Sequence, residues 1–222
     1  MNIYADLHLN SNLSVGIDPP IDMINMASKL GYSYVCFADF NNMPVTKIQE
    51  FKNNIQSKIR VLASVEIIGE ELKAIKQRLK NVRPYIDIIT LKCKKKAIFN
   101  WALQDSRIDF LTFFDYNNFD LLTYEAAKLA TRNSKAIEIF IRPLIIFSGL
   151  NRSKQIRLLR KMCQNIIRAK TPFILTSAAR NVYEMRAARE LIAIMGLADL
   201  PKEICKKAVS NIPLEIIKNR GL

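Results

Sequence analysis

The chain has one histidine, His8, and it lies close in sequence to a carboxylate that could share its chemistry. Asp6 and His8 are alternate residues, so an extended strand would present both side chains on one face. Such a pair suits a general base and the group that orients it. Together with Asp39 and Glu66, the same pair could hold a divalent metal ion. One hypothesis is therefore a metal-dependent phosphoesterase that uses these four residues.

Other sequence features argue against a catalytic centre. A two- or three-metal hydrolase needs several His and carboxylate ligands at bonding distance, and one histidine is too few. Glu66 stands between Val65 and Ile67 without an evident second carboxylate, which disfavours a glycosidase. The chain lacks a G-x-S-x-G motif, and its six glycines are too scattered for G-x-G-x-x-G or a P-loop. We therefore expect these acids to be solvated or paired with basic residues, and we expect no catalytic or metal-ligating residue.

The sequence carries a strong excess of positive charge. Its 34 lysines and arginines against 20 aspartates and glutamates give a net charge of +14, while 50% of its 222 residues are hydrophobic. A folded domain with such a surface attracts polyanions, usually nucleic acid or an anionic membrane surface. Aromatic base-binding signatures are missing, so binding would be directed at phosphates. The candidate phosphate-binding residues are Lys92, Lys94, Lys95, Lys96, Arg142, Arg157, Arg160, Lys161, Arg168 and Arg180.

Short β-branched or aromatic runs alternate with longer amphipathic segments along the whole chain. This alternation predicts strands over 3–7, 33–38, 60–67, 86–91, 109–113, 135–141 and 173–177. It predicts helices over 21–30, 46–56, 70–81, 95–104, 122–131, 152–170 and 183–195, followed by short helices over 202–209 and 213–218. Asp120 or Thr123 is predicted to cap the fifth of these helices, and Asn151 or Ser153 the sixth, in which Ile167 should face inward.

Seven βα units in so short a chain favour a closed barrel over an open doubly wound sheet. An eighth strand is missing from the pattern. The expected fold is a distorted TIM-like βα barrel of about seven strands with extra C-terminal helices, forming one domain over residues 1–222. The functional face of such a barrel lies at the carboxyl ends of its strands, where most of the polar residues named above fall.

The cysteines and the apolar segments indicate the compartment. Cys36, Cys93, Cys163 and Cys205 are isolated along the chain, as is typical of buried free thiols in a reducing environment. We find neither a signal-peptide pattern nor an apolar run long enough to span a bilayer. A cytoplasmic protein without a membrane partner is expected.

Several motifs occur in a recognisable order: IYADLHLN at 3–10, ASVEI at 63–67, LTSAAR at 175–180, MRAARE at 185–190, MGL at 195–197 and KAVSNIP at 207–213. In this order, and with this length and charge, the sequence resembles the archaeal RNase P protein component 3 family, the counterpart of the thirty-kilodalton subunit of eukaryotic RNase P. The resemblance implies a fold related to the polymerase-and-histidinol-phosphatase metal hydrolases. Their first motif is H-x-H, whereas this chain has Asp6-x-His8 and no later histidine, which implies that the ancestral metal site is lost.

The resemblance also implies a function. RNase P is the ribonucleoprotein endonuclease that removes the 5′ leader from precursor tRNA, and its RNA carries the catalytic groups and binds Mg²⁺. The implied partners are the RNase P RNA, RNase P protein component 2 and, through the complex, precursor tRNA. The ten basic residues named above then become candidates for RNA contact. An autonomous phosphoesterase and a nucleic-acid-binding barrel unrelated to tRNA are the alternatives.

Overall fold

Seven parallel strands lie side by side in the order of the sequence. The computed structural model describes residues 3–41 and 43–222. The strands are β1 (Ala5–Leu9), β2 (Tyr34–Phe37), β3 (Arg60–Ile68), β4 (Ile88–Lys92), β5 (Phe110–Thr112), β6 (Ala136–Phe140) and β7 (Phe173–Thr176). Each predicted strand is therefore present, with ends displaced by a residue or two. The prediction of a seven-stranded βα barrel is confirmed, and one domain over 1–222 stays a prediction.

Helices connect the strands and cover the outside of the barrel. They are α1 (Pro20–Lys29), α2 (Val45–Asn54), α3 (Leu72–Val82), α4 (Lys96–Ala102), α5 (Tyr124–Arg132), α6 (Arg142–Ile146), α7 (Gly149–Ala169), α8 (Ala188–Ile194), α9 (Lys202–Ala208) and α10 (Asn211–Lys218). Short 3-10 turns lie at Tyr116–Leu121, Val182–Glu184 and Met195–Ala198. Within the described residues, no helix is long and apolar enough to cross a membrane.

Local hydrogen bonds explain where the helices begin. Thr123 caps α5 by accepting the Ala126 N–H, which confirms one of the two predicted caps. The helix predicted over 183–195 is instead a 3-10 turn and a later α8, because the Asn181 side chain caps the turn at the Glu184 N–H.

The long helix α7 differs from its prediction at its start and on one face. It begins at Gly149, so Asn151 and Ser153 lie inside it and neither caps it. The prediction that Ile167 faces inward is wrong, since that residue is 41% exposed. The α6 helix was not predicted, because its five residues are too few to show a helical period.

The barrel wall separates two apolar clusters. On the outside, strand residues such as Val65, Leu91 and Ile139 pack against the helices. On the inside, Leu62, Ile88, Phe110 and Ile174 form a layer at the amino ends of the strands, and Ile217 of α10 packs into it. The inward positions nearer the carboxyl ends carry polar side chains, namely Glu66, Thr90, Thr112, Glu138 and Thr176. The interior therefore changes from apolar to polar along the barrel axis.

The C-terminal helices complete the barrel where an eighth strand would stand. In the described residues β1 and β7 do not pair along their lengths, and an isolated bridge joins Leu9 to Ala179 just beyond β7. At the other end of β1, the Ala5 N–H donates to the Val209 carbonyl at 3.0 Å. Arg220 beyond α10 pairs with the buried Asp109, which also accepts from Arg83 at 2.8 Å. These contacts hold the C-terminal segment against the amino end of the barrel. All four cysteines are buried free thiols, as expected.

Candidate functional site

A register shift in β1 places Asp6 and His8 on opposite faces of the barrel wall. Asp6 pairs with Val35, a member of the outer cluster, and the register shifts immediately after Asp6. His8 instead enters the interior, where its ring contacts Glu138 and Glu66. A bulge adds one residue to a strand and thereby inverts the alternation of its side chains. The prediction that Asp6 and His8 share a face is therefore wrong.

His8 lies at the centre of a buried chain of alternating charges. Its Nδ1 is 2.7 Å from Glu138 Oε1, and its Nε2 is 3.5 Å from Glu66 Oε1. Lys92 Nζ is 2.6 Å from the same Glu66 oxygen. The Thr176 hydroxyl donates to Glu138 at 2.5 Å. Glu66 thus has both a basic partner and, across His8, a second carboxylate that its sequence neighbourhood did not reveal.

The directions of the pKa shifts in this network favour the charged forms of His8 and Glu138. Burial opposes protonation of His8, but the attraction of Glu138 and Glu66 outweighs it and raises the pKa of His8 above its usual 6.5. Burial disfavours the ionised form of Glu138 as well, yet His8 and the hydrogen-bonding threonines hold the pKa of Glu138 below its usual 4.5. His8 therefore lies between two carboxylates that favour its protonated form. The protonated ring cannot serve as a general base.

Asp39 holds the loop that follows β1. Its carboxylate accepts the Ser11 N–H at 3.0 Å and the Ser11 hydroxyl at 2.6 Å, and it also accepts the Ser14 hydroxyl. Burial raises the pKa of Asp39, although these hydrogen bonds oppose the rise. A Cβ at Gly16 of this loop would lie 2.0 Å from the Asn10 carbonyl oxygen, so the loop requires glycine there. Asp39 is consequently a loop-positioning residue.

The Asp6 carboxylate likewise accepts hydrogen bonds from the backbone. It accepts the N–H of Ser177 at 3.1 Å and that of His8 at 3.3 Å. Burial raises the pKa of Asp6 to about 6 in spite of these bonds. The carboxylate thereby joins β1 to the end of β7, where the strand pairing is weakest.

A divalent metal centre, which a related hydrolase barrel would hold at this mouth, does not fit these residues. Asp6 is on the outer face, Asp39 is bound by hydroxyl and backbone donors, and Glu66 is paired with Lys92. Within residues 3–41 and 43–222, no group of three His, Cys, Asp or Glu side chains is arranged to hold a metal ion. The four ligands of the phosphoesterase hypothesis do not converge, and that hypothesis is not favoured.

Three of the ten basic candidates converge on a cavity at the mouth. Lys92, Arg142 and Arg180 line it, together with His8. Arg142 forms a two-pronged ion pair with Glu184, through Nε at 2.7 Å and Nη2 at 3.0 Å. The Glu184 pairing was not predicted from the sequence, because 42 residues separate the partners.

The loop between β4 and α4, together with the first residue of α4, carries the next three candidates. Lys94 lies over the Phe114 ring, with its Nζ 5.3 Å from the ring centroid. Lys95 donates to the Glu70 carbonyl at 2.9 Å and remains exposed, as does Lys96. These side chains extend the positive surface from the mouth along one rim.

The remaining four candidates, Arg157, Arg160, Lys161 and Arg168, are exposed on α7 as predicted. Arg160 is partly occupied, since its Nε donates to the Leu197 carbonyl at 2.7 Å and lies 3.4 Å from Asp199. Arg168 lies over the Tyr124 ring at 4.6 Å. The α7 set is thus separate in sequence from the mouth set, and part of it has a structural role.

Fold and mouth together define a class: a seven-stranded parallel βα barrel whose mouth is lined by ion pairs. A putative histidinol phosphatase from Listeria monocytogenes has a similar fold, with a TM-score of 0.58 and 10% identity over 82% of this chain and 97% of that one. The similarity is greater to a chain in the cryo-EM structure of archaeal Ribonuclease P with mature tRNA, at a TM-score of 0.78 and 19% identity, covering 96% of this chain and 90% of that chain.

Sequence comparison identifies the family. The family described as RNase P subunit p30 matches residues 3–222, and the chain belongs to it. Ribonuclease P protein component 3 of Methanosarcina mazei is 26% identical over 200 residues, covering 89% of this chain and 82% of that protein. The protein of the same name from Methanococcoides burtonii is 24% identical over 199 residues, covering 90% of this chain and 81% of that protein. The chain is thus a protein subunit of RNase P, a ribonucleoprotein endoribonuclease, as its motifs implied.

Proposed function

We propose that this subunit binds the RNA of RNase P through phosphates and supports the conformation in which that RNA cleaves precursor tRNA. The family match over residues 3–222 carries the proposal. The net charge of +14 supports it, since a surface with so few compensating acids gains free energy by releasing counterions from a polyanion. The ten basic candidates supply these contacts, with those around the mouth and the β4–α4 loop contributing most.

The proposal includes a protein partner, a metal location and a compartment. RNase P protein component 2 is the partner that the family resemblance implies. The subunit brings no metal of its own, and Mg²⁺ stays with the RNA, because the acids at the mouth are already bound by cations and backbone donors. The complex acts in the cytoplasm.

Reconstitution tests the proposal directly. Cleavage of precursor tRNA by the cognate RNA with component 2 is measured with and without this chain. Its addition should raise the rate and lower the Mg²⁺ concentration required, since protein charge replaces free cations near the RNA. Unchanged cleavage and unchanged Mg²⁺ dependence would refute the proposal.

The contact surface is tested by charge removal. We compare Lys94→Gln/Lys95→Gln/Lys96→Gln with Arg157→Gln/Arg160→Gln/Lys161→Gln/Arg168→Gln. Removing one phosphate-binding side chain should reduce the slope of log K against log salt by about 0.7–0.9, and the loop variant should bind RNA more weakly than the helix variant.

A control matched to the loop variant removes the same charge elsewhere. Lys73, Lys76 and Lys80 lie on α3, and their replacement by Gln also removes three positive charges. An equal decrease of affinity in this control would indicate that RNA affinity depends on the total positive charge of the protein, and not on contacts at the candidate residues. No change with either candidate cluster, in folded protein, would also contradict the assignment.

A further inference from the structure

The cavity at the barrel mouth combines cationic and aromatic walls. It has a volume of about 190 Å³. Drug-sized ligands occupy sites of roughly 300 Å³ or more, so this cavity suits one small group and its attachment to a larger molecule. Its polar wall contains Lys92, Arg142 and Arg180, and its apolar wall contains Phe114 and Phe147.

The three basic side chains of the polar wall differ in whether an acidic partner contacts them. Lys92 is paired with Glu66, and Arg142 with Glu184 through two of its three nitrogens. The Arg180 guanidinium makes no hydrogen bond or ion pair with any part of the chain that the structure describes. Arg142 is close enough to repel this charge, while Glu184 and Glu66 attract it without a direct contact. A ligand anion at this wall would relieve that repulsion and would take up donors that are still free.

The apolar side chains of this wall are partly exposed to solvent. Phe114 is 38% exposed and Phe147 is 37% exposed, and Ile146 beside them is 44% exposed. Lys94 lies over Phe114 with its Nζ 5.3 Å from the centroid, which adds a positive charge beside this wall. Exposed aromatic rings beside basic side chains form the kind of surface on which unstacked bases of a single strand bind.

We propose that the barrel mouth binds one unstacked nucleotide of single-stranded RNA. Its base lies against Phe114 and Phe147, and its phosphate is held by Arg180 and Arg142. This inference rests on the proposed RNA-binding function. It adds that the site selects a single-stranded part of the RNA, which phosphate contacts alone would not distinguish from a duplex. A duplex cannot use the site, since its bases are stacked and a cavity this small cannot admit a base pair. An apolar peptide would leave the Arg180 charge uncompensated.

The test uses the full chain and a ten-nucleotide oligouridine with one central 2-aminopurine, whose fluorescence falls on stacking. A fluorescein-labelled hairpin duplex serves as the second probe. Phe114→Leu/Phe147→Leu keeps the wall apolar but removes its rings, and Arg180→Gln removes the free cation. Tyr85→Leu is the matched control, because Tyr85 is 48% exposed and precedes β4 at the opposite end of the barrel.

The double Leu variant should bind the oligouridine about 10-fold more weakly and should no longer quench 2-aminopurine, as expected when one base is no longer stacked on an aromatic ring. Arg180→Gln should reduce the salt slope for this probe by about 0.7. Duplex affinity and the melting temperature should stay as in the wild type, and Tyr85→Leu should change nothing.

Three results would overturn the inference: no binding of the oligouridine by the wild type, unchanged quenching in the double Leu variant, or an equal decrease of affinity in Tyr85→Leu. If the chain still restores precursor-tRNA cleavage in any of these cases, the proposed function stands and only the nucleotide site is wrong. Failure of reconstitution together with failure to bind RNase P RNA would contradict the proposed function itself.

Discussion

The Glu138→Gln substitution tests whether the ion pairs at the mouth organise the barrel. Glu138 is fully buried on β6, and its Oε1 receives both the His8 ring at 2.7 Å and the Thr176 hydroxyl at 2.5 Å. Glutamine keeps the size and one oxygen acceptor but removes the charge. The substitution therefore leaves a buried imidazolium with Glu66 as its remaining acidic neighbour, at 3.5 Å and already shared with Lys92.

The magnitude depends on the protonation of His8. Breaking a buried pair by removing one partner costs about 3–5 kcal/mol when the other charge cannot leave. A histidine can release its proton, and the cost then falls to that of removing a charge-assisted hydrogen bond, about 1–3 kcal/mol. The destabilisation of the variant should therefore vary with pH.

The direction follows from the two pKa shifts. The folded pKa of His8 is raised, so its contribution is fully present below about 6.5 and is lost as the pH rises through the folded value. The folded pKa of Glu138 is lowered, so its contribution is present above about 4.5 and is lost as the pH falls through the folded value. The pair should stabilise the protein most between these limits. The variant should be less stable by about 3–5 kcal/mol near pH 5.5 and by about 1–3 kcal/mol near pH 8.5.

Urea unfolding followed by circular dichroism at several pH values measures this difference. Glu203→Gln is the control, because Glu203 forms an exposed pair with Lys206 and its removal should leave stability nearly unchanged at every pH. A Glu138→Gln penalty that is the same at pH 5.5 and 8.5 would refute the charged state of His8. A negligible penalty at both would refute the structural role of the pair.

Three further outcomes are expected. The purified chain with Mg²⁺, Mn²⁺ or Zn²⁺ should not hydrolyse phosphodiesters or phosphomonoesters, and metal-dependent turnover that is abolished by His8→Ala would contradict this. Glu66→Gln should lower the free energy of unfolding by about 1–3 kcal/mol and spare cleavage by the reconstituted complex, so a folded but inactive complex would argue for a chemical role. Asp109→Asn leaves Arg83 and Arg220 without their shared carboxylate, and it should destabilise the protein by about 3 kcal/mol. Amide exchange should become faster in α10 first. Equally faster exchange throughout the protein would show that this contact does not hold α10 in place.

The architecture was predictable because its signals are local. Apolar runs of strand length alternate with helical periods, and each signal depends on residues within one or two turns of each other. Seven such units and a missing eighth strand follow from the pattern alone. Helix limits were predictable where a cap is local, as at Thr123, and failed where the start depends on tertiary packing, as at Gly149.

The site was only partly predictable from the same signals. Residue type and count showed that one histidine cannot support a multi-metal centre, and composition fixed the net charge of +14. Exposure of the α7 cations followed from helical periodicity. The pairing of Glu66 with a basic residue was expected from its strand-end position, but its neighbour across His8 was not.

Tertiary structure decided which residues meet at the mouth. His8 and Glu138 are 130 positions apart. Glu138 stands in an apolar run, and nothing in that run indicates which residue pairs with it. The bulge in β1 turned His8 to the interior, away from the face of Asp6, because one added residue reverses strand alternation and its position depends on pairing with β2. The cavity with Arg180 and Phe147 exists only once β6 and β7 lie side by side. Local spacing specifies elements and their faces, whereas closure of the barrel specifies the contacts between them.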